Sequence, residues 1–206
     1  MMKGSHLEKY IIKPSADGKG HVYRPVMIAL LNRVTKVPES ILKQTKIYSR
    51  SVVWYIPFYS ARKGGGGITM GSDTWQSITF TENFFSSDQT HYKGKAYAND
   101  VQGWLSMSAH EAGHLLHAVR FRFLIIYLAF FIYQYLRYGH DAAPLEIEVE
   151  AGNQELKRFQ IFLNQRYGPK SLEQLITSES KDEAAKIEQL EKWWQAYKVR
   201  NARLLA

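Results

Sequence analysis

One pentapeptide restricts the fold of this chain more than any other feature: His-Glu-Ala-Gly-His at 110–114. The apolar residues around it recur at helical spacing and predict a helix over about 100–119. On a helix, residues i and i+4 share a face, so the imidazoles of His110 and His114 can reach one ion. Glu111 lies beside that position, where a carboxylate can take a proton from an attacking water. The alternative interpretation is two surface histidines with an incidental glutamate.

The absence of cysteine limits the kinds of site that this chain can build. None of its 206 residues is a cysteine, which excludes disulfides, cysteine-ligated zinc and thiol nucleophiles. Histidine, aspartate and glutamate remain as strong metal ligands. A catalytic Zn²⁺ takes three protein ligands and keeps one open position, so the histidine pair requires a third partner.

The predicted third ligand is a glutamate in the segment 144–151 (PLEIEVEA), which begins a later helix at Pro144. Apolar residues of that helix form one inward stripe, consisting of Leu145, Val149, Gly152, Leu156, Phe159 and Leu163. Glu148 lies about 50° from the centre of the stripe, Glu146 about 110° and Glu150 about 150°. Glu148 is therefore the predicted ligand and Glu146 the alternative. Three glutamates at a solvated helix start, favoured by the helix dipole, are the competing interpretation.

Further residues near the motif are candidates for supporting roles. Tyr138 and His140 precede the later helix, and either can stabilise an oxyanion near the metal, although both also suit an ordinary turn. Gly113 permits another backbone to approach the motif closely. His117, three residues after His114, is expected to pack or to lie at the surface, and the alternatives are a further metal ligand or a hydrogen-bond partner of a ligand.

The order of local patterns predicts one α+β domain, with a small β-sheet, then the motif helix and a mostly helical second half. Residues 1–20 suggest a loose arm, and 82–98 suggest a long loop. Strands are predicted at 51–58, 68–71 and 76–81. Helices are predicted at 25–34, 39–43, 100–119, 120–137, 144–166, 171–177 and 181–202.

The most apolar stretch, Phe121–Tyr138, contains about eleven uninterrupted apolar residues, whereas a membrane span needs about twenty. It is predicted to be a buried helix without a transmembrane span, and a helix lying on a membrane is the alternative. The first ten residues contain no apolar signal-peptide core. A cytoplasmic location is thus expected by default, although a specialised export route would leave no trace here.

The net charge of +8 is spread along the chain. No run of lysine and arginine alternates with aromatic residues, so specific nucleic-acid binding is not expected.

Four segments resemble zincin-type peptidases in which a glutamate is the third ligand, the gluzincin arrangement. They are similar to small bacterial HExxH domains of unknown function found near contractile injection systems, and distantly to ImmA/IrrE-type peptidases. The segments are Gly67–Gly71, Leu105–His114, Tyr135–His140 and Pro144–Ala151. The resemblance covers roughly 51–167, leaving the helices of 171–206 without a counterpart. It implies a zincin-like fold that binds Zn²⁺ through His110, His114 and a glutamate of the last segment.

These observations predict a zinc metallopeptidase that hydrolyses a peptide or protein substrate, with Glu111 as general base. The segment Ile68–Gly71 is placed to pair with an extended substrate. The alternative is a catalytically silent zincin-fold module that binds a protein or nucleic-acid partner.

Overall fold

The computed structural model describes residues 7–50, 67–81, 89–92, 95–98, 101–139 and 142–205. The helices are α1 Glu8–Ile11, α2 Pro25–Thr35, α3 Glu39–Gln44, α4 Val101–Arg120, α5 Leu124–Tyr138, α6 Pro144–Tyr167, α7 Ser171–Thr177 and α8 Glu183–Leu205. The strands are β1 Ile12–Pro14, β2 His21–Tyr23, β3 Lys46–Arg50, β4 Gly67–Gly71, β5 Gln76–Thr81, β6 Gln89–Tyr92 and β7 Lys95–Ala98. The predicted α+β class is confirmed.

A five-stranded sheet in the order β1-β2-β3-β5-β4 supports the motif helix. Only β3 and β5 run parallel, while the other neighbours pair antiparallel. The predicted pair of strands at 68–71 and 76–81 is confirmed, with Ile68 opposite Thr79. Helix α4 packs on this sheet, where the ring centroids of Trp104 and Phe80 lie 5.6 Å apart. The sheet therefore supports the helix that carries the HExxH motif.

Helix α2 forms the centre of the helical core and contacts α4, α6 and α8. Its fully buried side chains are Val26, Met27, Leu30 and Leu31. Pro25 occupies its first turn, where a missing N–H costs no hydrogen bond. The carboxylate of Glu183, at the start of α8, accepts a hydrogen bond from the Val26 N–H at 3.0 Å. The last helix thus supplies the negative charge that favours the N-terminus of α2.

Helices α4 and α6 cross in close contact at a glycine. A Cβ added to Gly113 would lie 2.6 Å from Cγ1 of Val149, so only glycine allows this approach. The expectation that Gly113 admits a close backbone is confirmed. The predicted inward stripe of α6 is confirmed too, because each of its six residues is buried. This crossing brings the start of α6 beside the HExxH motif.

Two segments predicted to be irregular contain regular structure. Residues 7–20 carry α1 and β1, and β1 pairs with β2 across a turn in which the Ser15 N–H donates to the carbonyl of Gly20. The prediction of a loose arm is therefore wrong for residues 7–20. The predicted loop at 82–98 contains the antiparallel strand pair β6 and β7. The strand predicted at 51–58 lies outside the described residues.

Helix α5 is not the buried helix that its apolar sequence predicts. Ile125 and Leu136 are each 78% exposed, whereas Gln134 is only 6% exposed. Its aliphatic face is turned to solvent because α4 and α6 cover only the opposite, partly polar face. No single described helix is long and apolar enough to cross a membrane. Helices α4 and α5 reach that threshold only together, and they bend by 120° at their junction.

Candidate metal centre

Helices α4 and α6 bring two imidazoles and one carboxylate to a common point. The Nε2 atom of His110 lies 3.3 Å from Oε2 of Glu146, and Nε2 of His114 lies 3.5 Å from Oε1. One ligand atom from each of the three residues falls within 4.8 Å of the others. In the described part of the chain, no other three histidine, aspartate or glutamate side chains converge in this way.

The spacing of these atoms fits a shared cation better than direct hydrogen bonds. A charge-assisted N–H···O bond is about 2.7–2.9 Å long. Two ligands that each lie about 2.1 Å from a tetrahedral Zn²⁺ are about 3.4 Å apart. The separations of 3.3 and 3.5 Å match the second value. The three residues therefore fit Zn²⁺ in both chemistry and spacing.

The structure corrects the choice between the two glutamates. Glu148 Oε2 lies 3.0 Å from Nε2 of His117, and 56% of its side chain is exposed. The side chain of Glu146 is 6% exposed and faces the histidine pair. The prediction that Glu148 joins His110 and His114 is therefore wrong, and the fold brings them the alternative, Glu146.

The reason lies in how α6 is covered. A single inward stripe assumes that a helix is buried from one side, but α4 also covers the flank of α6 that carries Glu146. Asn153, one heptad later on that flank, is buried, and its Oδ1 lies 3.2 Å from Oγ of Ser106 on α4. Glu148 lies on the other flank, toward the end of α4, where Arg120 is 3.9 Å away.

The electrostatic environment of this cluster favours the binding of a cation. Burial opposes ionisation of Glu146, but the facing imidazoles of His110 and His114 outweigh it and hold the pKa of Glu146 well below its usual range. Burial also opposes protonation of His110, yet Glu146 and Glu111 raise the pKa of His110 above its ordinary value. An ionised carboxylate thus lies between two imidazoles, where Zn²⁺ can replace a proton as the positive partner.

Strand β4 fixes the carboxylate of Glu111 beside the three residues. The Thr69 hydroxyl lies 2.8 Å from Oε2 of Glu111 and 2.7 Å from its carbonyl oxygen, so it can donate to either. A Cβ added to Gly67 would lie 2.6 Å from Cγ of Glu111. Thr69 and Gly67 were not predicted as site residues. Their signal was the two-residue period of the strand, which turns both residues toward α4.

The inner face of α5 closes another side of the cluster. The ring centroids of Phe131 and His114 lie 6.4 Å apart, and Oε1 of Gln134 accepts the Leu145 N–H at 3.0 Å at the start of α6. Burial raises the pKa of the Tyr127 phenol, and the nearby charges of Glu111 and Glu146 raise it further. Tyr127 therefore remains a neutral O–H donor close to the cluster.

The structure offers no support for the oxyanion-stabilising role predicted for Tyr138 or His140. Tyr138 is 45% exposed at the end of α5, and Arg137 lies over its ring at 5.3 Å. His140 lies outside the described residues. Buried Tyr127, which the sequence patterns assigned to the core, is the tyrosine that the fold places near Glu111 and Glu146.

Two buried ring nitrogens near the site have no hydrogen-bond partner among the described residues: Nδ1 of His114 and Nδ1 of His117. The ring of His117 lies 5.6 Å from that of His114 and is itself buried, which agrees with the packing role expected for it. Zinc-bound histidines usually donate their second N–H to a partner that fixes the ring. For His114, the neighbouring rings of His110, His117 and Phe131 provide that restraint by packing.

No protein-family model matches this chain, and neither a curated protein nor a solved structure matches it. The likeness to zincin-type peptidases therefore stays a prediction that rests on the residues quoted for it.

Proposed function

We propose that this chain is a zinc-dependent metallopeptidase whose ligands are His110, His114 and Glu146. The observation that carries the proposal is their convergence at separations that fit a tetrahedral ion, with the carboxylate of Glu111 fixed beside them. A buried scaffold site needs three or four ligands but no adjacent free base, so the placement of Glu111 favours hydrolysis over a purely structural metal.

Zinc, when bound, supplies a Lewis acid that polarises the scissile carbonyl and acidifies water. Glu111 accepts a proton from the attacking water as the new C–O bond forms. It then passes the proton to the amine nitrogen as the C–N bond breaks. Thr69 holds the carboxylate of Glu111 in one orientation through both stages. Tyr127 is the neutral donor suited to stabilise the oxyanion.

Strand β4 suggests how a substrate is held. In the part of the sheet that the structure describes, β4 is one of the two edge strands and pairs only with β5. An extended peptide can add to such an edge through main-chain hydrogen bonds. Because Thr69 of the same strand contacts Glu111, a peptide paired there would pass close to the general base. We therefore propose an extended peptide or protein segment as substrate.

The ligand assignment is tested by zinc affinity in two matched variants, Glu146→Gln and Glu148→Gln. Zinc-finger peptides bind Zn²⁺ with about 10–16 kcal/mol over four ligands, or roughly 2.5–4 kcal/mol per ligand. We therefore expect Glu146→Gln to weaken zinc binding about 100-fold or more. Glu148→Gln, two residues away on the same helix, should stay within about threefold of the wild type. Equal losses in both variants would contradict the assignment.

The catalytic role is tested by Glu111→Gln, assayed on a mixture of unstructured peptides with mass-spectrometric detection of cleavage. This variant should retain about one zinc per chain while its hydrolysis falls by about 100- to 10,000-fold. Undiminished cleavage would remove Glu111 from the mechanism. A wild-type protein that holds stoichiometric zinc but cleaves nothing would instead favour the catalytically silent binding module.

A further inference from the structure

The outer face of α5 is the largest concentration of exposed apolar side chains in the described part of the chain. Nine of the fifteen large hydrophobic residues exposed there belong to residues 123–138. At about 100° per residue, Ile125, Ile132 and Leu136 lie within about 40° of one another, so they form one aliphatic ridge. Their exposed fractions are 78%, 55% and 78%. Concentrated apolar surface of this kind marks an interaction site, whereas single exposed residues do not.

The dimensions of α5 suit a helix lying along a membrane surface. Its 15 residues span about 22 Å, less than the hydrocarbon core of about 30 Å. Its inner face is occupied by Tyr127 and Gln134, both buried against the protein. Only the outer face is therefore available to lipid. Exposed Tyr133 and Tyr135, which flank the ridge, add rings of the type that settle at the boundary between water and lipid.

The charge around the ridge favours an anionic bilayer over the other surfaces that could cover it. Residues 120–139 contain three arginines, Arg120, Arg122 and Arg137, and no acidic residue. Arg122 and Arg137, near opposite ends of α5, are both exposed. In a dimer through this face, either helix orientation would bring arginines of one copy toward those of the other. Anionic lipid headgroups instead complement Arg122 and Arg137, while Arg120 already lies 3.9 Å from Glu148.

We propose that α5 docks this protein onto an anionic membrane surface, with Ile125, Ile132 and Leu136 in the acyl boundary and the arginines among the headgroups. The inner face of the same helix contacts the metal centre through Phe131 and holds the start of α6 through Gln134. Docking therefore places the metal centre next to the bilayer. If the proposed peptidase function holds, the preferred substrate is a peptide segment at the membrane surface, and this last step rests on that function.

The test is co-sedimentation with two kinds of vesicle: phosphatidylcholine alone, and equal parts of phosphatidylcholine and phosphatidylglycerol. The wild type should bind the mixed vesicles, lose binding as salt rises, and bind the neutral vesicles much more weakly. Ile125→Asp with Leu136→Asp should lower partitioning by about tenfold or more. Ile161→Asp is the matched control, because Ile161 is an isoleucine on α6 that is 56% exposed, and it should bind like the wild type. If the aspartate pair misfolds by circular dichroism, serine at both positions serves instead.

A second set of variants tests how much the arginine charges contribute to membrane binding. Arg122→Gln with Arg137→Gln should reduce the preference for anionic vesicles severalfold, while Arg158→Gln, on exposed α6 surface, should not. Glu111→Gln should bind vesicles like the wild type, so docking and hydrolysis can fail separately. Absence of binding to the mixed vesicles would overturn the proposal, and so would equal losses in Ile161→Asp. A lipid-free dimer that the Ile125 and Leu136 variant dissociates would show that a second copy covers the ridge.

Discussion

Replacing Gly113 by alanine tests the helix crossing that assembles the metal centre. The new Cβ would lie 2.6 Å from Cγ1 of Val149, whereas carbon atoms in contact are about 3.5–4.0 Å apart. One of the two groups must therefore move by about 1 Å. Val149 is buried, and its β-branched side chain has one strongly preferred rotamer in a helix, so it cannot turn away cheaply.

The magnitude follows from two opposing contributions. Overpacking of a tight core costs about 1–3 kcal/mol, and a 2.6 Å approach belongs near the upper end. Alanine gains about 1 kcal/mol over glycine in helix propensity. We expect Gly113→Ala to lower the free energy of unfolding by about 2 kcal/mol. For a chain of this size, that lowers Tm by about 4–8 °C.

The assay is a double-mutant cycle with Val149→Ala, measured by urea unfolding. Removing Cγ1 relieves the clash and leaves the Cβ and Cα of residue 149 at 3.4 Å, an ordinary contact. In that background Gly113→Ala should be neutral or stabilising by up to about 1 kcal/mol, which gives a coupling energy of about 2–3 kcal/mol. Zinc affinity should fall in the single variant and recover in the double one, since the crossing also positions Glu146. An equal cost of Gly113→Ala in both backgrounds would refute the packing argument.

Three further predictions concern the site. Gly67→Ala should keep zinc but slow hydrolysis about 100-fold, because its Cβ would displace the carboxylate of Glu111 by about 1 Å. Measurements of kcat and of zinc content test this expectation. Thr69→Val should lower the free energy of unfolding by about 1–3 kcal/mol, as measured by urea unfolding, because a buried hydrogen bond to Glu111 is lost; unchanged stability would show that the hydroxyl is not needed. Removal of zinc by a chelator should lower Tm by about 5–10 °C if zinc was present at about 100 times its Kd. That shift should persist in Glu148→Gln and shrink in Glu146→Gln, and the reverse order would assign the ligand to Glu148.

The parts of the site that the sequence predicts correctly depend on local geometry. The i and i+4 spacing places His110 and His114 on one helical face whatever the rest of the fold does. Gly113 identifies a close crossing because no other residue lacks a Cβ. The choice between Glu146 and Glu148 depends on which flanks of α6 are covered by α4, and that is a property of tertiary packing. A single stripe of buried residues cannot supply it.

The predictions for helix α5 and for residues 7–20 are wrong for different reasons. The apolar composition of α5 gives its helical character but not its orientation, and the fold buries Tyr127 and Gln134 while it exposes Ile125. Burial of a helix is decided by the area that its neighbours can cover, not by hydropathy alone. In the N-terminal segment, the Asp17-Gly18 pair was an available turn signal between two short extended runs. The polar residues around that pair instead favour an irregular segment.

The contact between α8 and α2 has a consequence for how the chain folds. Glu183 meets Val26, and Arg33 meets Glu191, across about 160 positions of sequence. Contacts of such long range slow folding, because loop entropy is lost before they form. On a ribosome, which releases the N-terminus first, α2 must wait for the last helix to emerge before its surface is covered. We expect a chain ending at Thr177 to bind a hydrophobic dye and to lose its cooperative thermal transition, whereas a cooperative transition in that truncated chain would contradict this dependence.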